Sequence, residues 1–177
     1  MKLATLPDSV QSLFDAMIAE LTNAYTAQGS GITLPVNQFI APGIIAWDDE
    51  FAAIQLQDID AGSPGSPAGP PPPVPIPLTF YGVWAFTILR HVHIGQDGQA
   101  RGPIIPTPAE INTDGVQAMA DASALTIASI AVWQDVTDGN LPLVSSPGQP
   151  WEISKVQTVG PQGGFAGVYV TFSIPLD

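Results

Sequence analysis

The sequence contains no cysteine and has few charged residues. Without cysteine, the chain forms neither disulfides nor thiolate metal sites. Charged residues make up 11% of the chain, against about 25% in typical domains, so much of the surface must consist of neutral groups. A monomer usually needs more surface charge than this to stay soluble, and the shortage indicates that partner chains cover part of the surface.

Basic residues are scarcer still. Four Lys and Arg residues stand against 16 Asp and Glu residues, which gives a formal net charge of −12. A protein that grips nucleic acid needs clustered Lys and Arg for the phosphates, so this composition argues against that class. An acidic wall repels phosphate, however, and is therefore compatible with a protein past which nucleic acid slides.

Long hydrophobic runs are also missing. No uninterrupted apolar segment reaches the roughly 18 residues that a membrane-spanning helix needs. The segment after Met1 lacks the apolar centre of a signal peptide. We therefore expect a soluble, intracellular protein without membrane contact. The length of 177 residues suits one sizeable core, so residues 1–177 are predicted to form a single domain.

Hydrophobic periodicity predicts two helices. The first spans residues 7–28 and has an apolar stripe at helical spacing. The second spans residues 108–138, with Thr107 or Thr113 as its N-terminal cap. Its segment 116–136 is apolar on nearly every side, which predicts a helix that is buried all round. In a chain of this size, one stripe of that helix is expected to face another subunit.

Two segments before the second helix have the composition of β-strands. Residues 51–59 alternate, with Ala52, Ile54 and Leu56 predicted to face inward and Gln55 and Gln57 outward. Residues 78–94 predict a strand far longer than the usual five or six residues. Part of it is therefore expected to project beyond its own sheet or to bend at Gly82. Its predicted inward face carries Phe80, Trp84, Phe86, Ile88, Val92 and Ile94.

The last segment, residues 151–177, predicts a β-hairpin. Five residues, 160–164, form its glycine-rich turn, and Gly163 or Gly164 is expected to take a positive φ. Val168, Val170, Phe172, Ile174 and Leu176 share the predicted core face. Taken together, the elements predict an α+β fold in which an antiparallel or mixed sheet carries two principal helices on one side.

Residues 61–77 are rich in proline, glycine and serine. Because proline lacks an amide donor, this segment forms neither a helix nor a central strand. A proline-rich ligand for a signalling module is one interpretation, but such ligands normally carry a basic anchor, which is absent here. We therefore predict a loop with extended, polyproline-like character between two strands.

His91 and His93 are the first candidates for a metal site. They lie two residues apart on the predicted strand, so both imidazoles face one side and zinc is a conceivable ligand, with Asp97 as a third donor. A complete zinc site needs a fourth group, and no motif supplies one. Two surface histidines near the end of a strand are the simpler interpretation.

Two other segments can each be interpreted either as a binding site or as an ordinary turn. Asp48, Asp49 and Glu50 are adjacent carboxylates that are suited to Mg²⁺ or Ca²⁺, but nuclease sites draw their acids from separate strands, and a solvated turn is the favoured interpretation. The glycines of 160–164 lack the Lys-Ser/Thr of a phosphate-binding loop and do not open a helix. We therefore predict no catalytic residue, no metal and no cofactor, and the chain is not expected to be an enzyme.

The order of these elements resembles a known family. An amphipathic helix at 7–28 is followed by Trp47-Asp48-Asp49-Glu50, a long aromatic strand at 78–94 and an alanine-rich helix at 116–136. The chain ends in a hairpin whose turn and exit, residues 160–167, read Gly-Pro-Gln-Gly-Gly-Phe-Ala-Gly. This pattern resembles the tail terminator proteins of long-tailed, siphovirus-type phages that infect actinobacteria.

The resemblance implies a structural virion protein with a tail-terminator-like, ring-forming fold. Such proteins form hexameric rings that cap the tail tube, end tail growth and join the tail to the head connector. The implied partners are further copies of the chain, the tail tube protein and the head–tail connector or stopper protein. DNA passes through the lumen without specific binding. The implied location is the head-proximal end of the virion tail, and the host cytoplasm during assembly.

The residues proposed for contacts between subunits are apolar or aromatic: Met119, Ile130, Trp133, Phe165 and Tyr169. Other functions stay open. The chain is alternatively a head–tail stopper or a tail tube protein of the same machine. Two alternatives come from other functional classes. One is a small binding module that acts through its proline-rich loop, and the other is a metal-dependent hydrolase that uses Asp48, His91 and His93.

Overall fold

Two helices pack on one face of a mixed sheet in the computed structural model of the chain. This arrangement confirms the predicted α+β class and the mixed sheet. The structure describes residues 6–41, 49–61, 80–93, 95–96, 103–104, 106–141, 152–162 and 164–175. Apart from Ala61, the predicted proline-rich loop 61–77 lies outside the described residues, as do Asp48, Asp97 and Leu176.

Both predicted helices are confirmed. Helix α1 spans Leu6–Gln28 and helix α2 spans Pro108–Thr137. Thr107 caps α2, because its hydroxyl accepts from the Glu110 amide while the Glu110 carboxylate accepts from the Thr107 amide. This reciprocal pair satisfies two backbone donors that the first turn of a helix leaves free. The alternative cap, Thr113, instead donates to the carbonyl of Ala109 inside the helix.

Within the described residues, the main sheet has six strands in the order β1-β2-β3-β8-β6, with β7 also paired to β8. β1 runs parallel to β2, and the other pairs are antiparallel. A separate two-stranded ribbon joins β4 to β5. The strands are β1 Asn37–Ala41, β2 Phe51–Ala61, β3 Phe80–His91, β4 Gly95–Gln96, β5 Pro103–Ile104, β6 Glu152–Ile153, β7 Gln157–Gln162 and β8 Phe165–Pro175.

β3 is the centre of the sheet. It pairs with β2 from Phe80 to Leu89 and with β8 from Tyr81 to His91. The prediction that part of this strand projects beyond its own sheet is therefore wrong for residues 80–91. The reason is that β2 and β8 are nearly as long as β3 and hold it on both edges. The predicted strand is also longer than the observed one, because Val92 and His93 follow β3 without belonging to it, and residues 78, 79 and 94 lie outside the described part of the chain.

The core lies between this sheet and the helices. Trp84, Phe86 and Ile88 are buried on the face of β3 that packs against the helices, as predicted. From β8 the core receives Val168, Val170, Phe172 and Ile174, and from α1 it receives Val10, Leu13, Phe14, Met17 and Leu21. The rings of Phe14 and Phe86 lie 6.1 Å apart and join α1 to the sheet.

In β2, one side chain departs from the predicted alternation. Ala52 and Ile54 face the core as expected, but Gln55, predicted to face outward, is only 8% exposed. Gln55 pairs with Ala41 of β1 and Ala85 of β3, and both alanines are also buried, so this part of the second sheet face is shielded from solvent as well. The register shifts between Leu56 and Asp58, so Gln57 has no partner across the pair with β3.

The C-terminal hairpin is confirmed, but its turn is shorter than the predicted five residues. Gln162 lies opposite Phe165, so two residues connect β7 to β8, and the register irregularity between Val159 and Gln162 contains the rest of the glycine-proline segment. Gly164 has a φ of 84°, which confirms the predicted positive value. The first strand is also divided, because β6 and β7 each pair with β8 and residues 154–156 separate them.

Candidate functional site

An exposed, uncharged face of α2 is the most distinctive surface of the described chain. Every α2 residue from Ile111 to Thr137 that is exposed to solvent lacks a charge, whereas Asp114 and Asp135 are half-buried and Asp121 is buried. Met119 is 67% exposed, Ile130 54% and Trp133 45%. The large apolar side chains on this face, which we call the α2 face, are Ile111, Val116, Met119, Ile127, Ile130 and Trp133.

This face exists because the buried stripe of α2 is narrow and composed mainly of small residues. Its members are Asp121, Ala124, Leu125, Ala128, Ser129 and Val132. Within its own chain the helix is thus not buried all round, which corrects that part of the prediction. A single sheet face and one neighbouring helix cover one stripe, and the apolar residues outside it stay exposed. An exposed apolar surface of this extent typically marks an interaction site.

A groove runs along the C-terminal half of the α2 face. It has a volume of about 780 Å³ and lies between α2 and the edge of the sheet formed by residues 152–156. Thr126, Ser129, Ile130 and Trp133 line it from the helix. Across from them lie Glu152, Ile153, Ser154, Lys155 and Val156. The groove thus combines an apolar interior with a lysine at its rim.

The five residues predicted at subunit contacts do not form one surface. Met119, Ile130 and Trp133 share the α2 face. Tyr169 alternates with the buried Val168 and Val170, so it lies on the other side of the sheet. Phe165 lies on that side too, with its ring 4.2 Å from the imidazole of His91. Any contact through these two residues therefore involves a different surface.

The two histidines bind separate carboxylates rather than one another. Nε2 of His91 lies 3.9 Å from Oδ1 of Asp49, and Nδ1 of His93 lies 2.8 Å from Oδ1 of Asp114 on α2. Both imidazoles are about half exposed. Among the residues that the structure describes, no group of three His, Asp or Glu side chains is arranged to hold a metal ion.

A buried ion pair links β3 to α2 and was not predicted from the sequence. Arg90 Nε donates to Asp121 Oδ2 at 3.1 Å, and Nη2 donates to Asp121 Oδ1 at 3.0 Å and to the Thr33 carbonyl at 2.7 Å. The Tyr25 hydroxyl of α1 also donates to Asp121. Glu50 lies near the outer side of the guanidinium, with Oε2 3.6 Å from Nη1.

A signal for this cluster is present in the sequence. Arg90 has the same strand parity as Trp84, Phe86 and Ile88, and a charged residue on a core face needs a buried partner. Asp121 is the acidic residue in the middle of the apolar helix.

Electrostatics within this cluster support a structural role. Burial lowers the pKa of Arg90, but the hydrogen bonds and charge of Asp121 outweigh it, and the net pKa is raised. Burial, together with the neighbouring Asp121 carboxylate, raises the pKa of Tyr25. Arg90 therefore stays charged and Tyr25 stays neutral near neutral pH. The cavity beside the cluster, about 20 Å³, is no larger than a water molecule requires.

Helix α2 also has the length and composition of a membrane span, with a mean hydropathy of 1.3 over its most apolar window. A helix from the core of a globular fold meets the same criterion. In this chain one stripe of α2 packs against α1 and β8 and contains the Asp121 carboxylate paired with Arg90. The absence of membrane contact stays a prediction.

Neither a scan against protein-family models nor a search of curated proteins finds a match to this chain.

Proposed function

We propose that the chain is the subunit of a ring that ends the tail of a long-tailed phage. In this proposal six copies form a tail terminator, which caps the tail tube, stops its growth and joins it to the head connector. Genome DNA passes through the lumen. The protein thus resides at the head-proximal end of the tail and assembles in the host cytoplasm.

The observation that carries the proposal is the α2 face. The chain has a formal net charge of −12, so two copies that meet at arbitrary surfaces bring carboxylates together. On the α2 face, the exposed residues are uncharged, and six of them are large and apolar. Burial of that surface against a neighbour removes apolar area from water at little electrostatic cost.

The order of elements gives further support. The family resemblance expects an amphipathic helix, an aromatic strand, an alanine-rich helix and a terminal hairpin, which correspond to α1, β3, α2 and β7–β8. The proposed role requires no catalytic group, metal or cofactor. The acidic balance of the chain agrees with a lumen that repels the DNA passing through it.

Mass measurement and imaging test the proposal together. The purified protein, alone or with tail tubes, is expected to form particles of six times the 18.5-kDa chain, seen as rings at one end of each tube. Deletion of the gene is expected to give tails of uncontrolled length with no heads attached. Normal tails joined to heads in the deletion would refute the proposal, and growth of the protein into long tubes would assign it to the tube instead.

A further inference from the structure

We infer that the groove beside Trp133 receives the opposite edge of the sheet of a second copy, around Val36, and that Lys155 of one subunit faces Asp49 of the next. The inference rests on the proposed ring and specifies which two surfaces meet in it. It commits to a head-to-tail contact between copies of this chain.

The groove supplies the first half of the contact. Ile130 and Trp133 line it from α2, and Ile153 and Val156 line it from the edge of the sheet. Lys155 lies at this edge and is exposed. In the part of the chain that the structure describes, it is the one exposed lysine or arginine, because Arg90 is buried in its ion pair. The groove thus favours a partner that combines an apolar side chain with a carboxylate.

The opposite edge of the sheet offers that combination. Val36, directly before β1, is 95% exposed, the largest exposed fraction among the large apolar residues of the described chain. Ile40 lies on the same edge strand and is also exposed. Asp49 stands beside this edge, where its carboxylate accepts from the side-chain amide of Asn37 at 3.3 Å. The Asp49 side chain is 66% exposed, so an incoming cation can reach it beside its existing 3.9 Å contact with His91.

The topology of the sheet decides how these two surfaces combine. β1 and β6 lie at opposite ends of the strand order. A contact between the β1 edge of one copy and the β6 groove of the next leaves one edge and one groove unfilled. Such heterologous contacts repeat, and they form a ring when the rotation between neighbours closes and an open filament when it does not. A symmetric contact of two α2 faces would stop at a dimer. The head-to-tail arrangement also pairs Lys155 with an acid in a chain that otherwise repels itself.

Cysteine cross-linking tests the contact directly, since the chain has no cysteine of its own. The double variant Val36→Cys plus Ile130→Cys, treated with a short thiol cross-linker, is expected to give a ladder of species up to the closed ring on a denaturing gel. Each single variant is expected to give no species beyond a dimer. The matched control, Ile59→Cys plus Ile130→Cys, replaces the Val36 position by an exposed residue near the far end of β2 and is expected to give no ladder.

A charge exchange provides the second measurement. Lys155→Asp is expected to weaken assembly at least tenfold, and adding Asp49→Lys in the same chain is expected to restore most of it. Circular dichroism of each variant checks that the subunit remains folded.

The outcomes separate the contact from the proposed function. Rings in the parent without a specific ladder and without charge rescue would overturn the inference and leave the ring intact. A parent that stays monomeric, alone and with tail tubes, would overturn both. Binding of the parent to lipid vesicles that is lost in Trp133→Ala would assign the groove to a membrane and likewise overturn the inference.

Discussion

Arg90 and Asp121 form a buried, two-point ion pair that fastens helix α2 to the central strand of the sheet. Two nitrogens of one guanidinium meet both oxygens of one carboxylate, a geometry that is stronger than a single neutral hydrogen bond. Tyr25 from α1 and the carbonyl of Thr33 complete the cluster. Four separate segments of the chain therefore converge on one charge pair, which fixes the position of α2 and hence of its exposed face.

Loss of the Asp121 carboxylate is predicted to destabilise the fold strongly. Asp121→Ala leaves the Arg90 charge buried without its main partner, which costs about 3–5 kcal/mol. Asp15→Ala, at an exposed position on α1, is the matched control and is expected to change stability by less than about 0.5 kcal/mol. Chemical denaturation at one fixed protein concentration measures both.

Replacement of the whole cluster by apolar residues tests whether the unpaired Arg90 charge causes the loss of stability. The triple variant Tyr25→Phe, Arg90→Met and Asp121→Leu leaves no unpaired polar group from these three side chains, so it is expected to lose less stability than Asp121→Ala alone. If Asp121→Ala loses under 1 kcal/mol, or the triple variant loses more than the single one, the ion pair does not hold the helix as described.

The start of α2 is predicted to weaken in acid. Hydrogen bonds from the amide and then the hydroxyl of Thr107 lower the pKa of Glu110 below its ordinary value of 4.5. A carboxylate with a lowered folded pKa contributes stability above its unfolded pKa and loses it as the pH falls through the folded value. The contribution is therefore fully present above about pH 4.5 and is lost as the pH falls further, through the lowered pKa of the folded state.

Thr107→Ala is the variant that checks this pH dependence. At neutral pH it is expected to lose about 1 kcal/mol, the usual effect of removing an N-terminal cap. Its deficit relative to the parent should shrink in acid, where Glu110 is protonated in both proteins. The Thr107 amide still donates to Glu110 in this variant, so a deficit that stays constant as the pH falls would show that the bond from the Thr107 hydroxyl to Glu110 contributes nothing.

Elements with long, uninterrupted periodicity are the ones that the sequence predicts well. α1, α2 and the core faces of β3 and β8 follow from local spacing alone. The Arg90–Asp121 pair does not, because its members are 31 residues apart and nothing local selects one acid among 16. The burial of Gln55 is missed for a related reason, since local alternation contains no information about what covers each face of the sheet.

For the candidate interface, too, local sequence predicts one part and the tertiary arrangement determines the other. The excess of apolar residues on α2 is a property of one helix, and the resulting exposed positions at Met119, Ile130 and Trp133 agree with it. The location of the groove depends on which sheet edge lies next to α2, and that depends on the order β3-β8-β6. A hairpin at the end of a chain can join a sheet at either edge, so local sequence leaves this order open.

At the hairpin turn, backbone conformation rather than space is predicted to require glycine. Gly164 has a φ of 84°, whereas Gly160 is not in the left-handed region, and an added Cβ has open space at both positions. Gly164→Val is therefore expected to cost about 1–3 kcal/mol of backbone strain and to reduce solubility. Gly160→Val is the matched control and is expected to be tolerated. Equal stability and solubility of the two variants would contradict the role of φ.

The two histidines are predicted to have no chemical role. Each imidazole is about half exposed and pairs with one carboxylate, and ion pairs that are open to solvent contribute about 0–1 kcal/mol. The double change His91→Ala plus His93→Ala should thus leave assembly and infectivity nearly intact, with a small loss of stability. Metal analysis of the purified parent is expected to find no bound zinc. A large loss of infectivity in a variant that still folds would reveal a function at these residues.

Trp133 is predicted to contribute to assembly more than to the fold of its own subunit. Its side chain is 45% exposed in the single chain, so Trp133→Ala removes few core contacts there. If the ring buries the indole fully, its truncation costs about 3–5 kcal/mol of assembly free energy, since a large aromatic side chain leaves a cavity behind. Analytical ultracentrifugation is expected to show subunits where the parent forms rings, while circular dichroism stays unchanged. Ile59→Ala, which truncates an equally exposed apolar residue on β2, controls for a general loss of surface hydrophobicity and is expected to assemble normally. If Trp133→Ala assembles as tightly as Ile59→Ala, the α2 face lies outside the contact between subunits, and the argument from its missing charge fails.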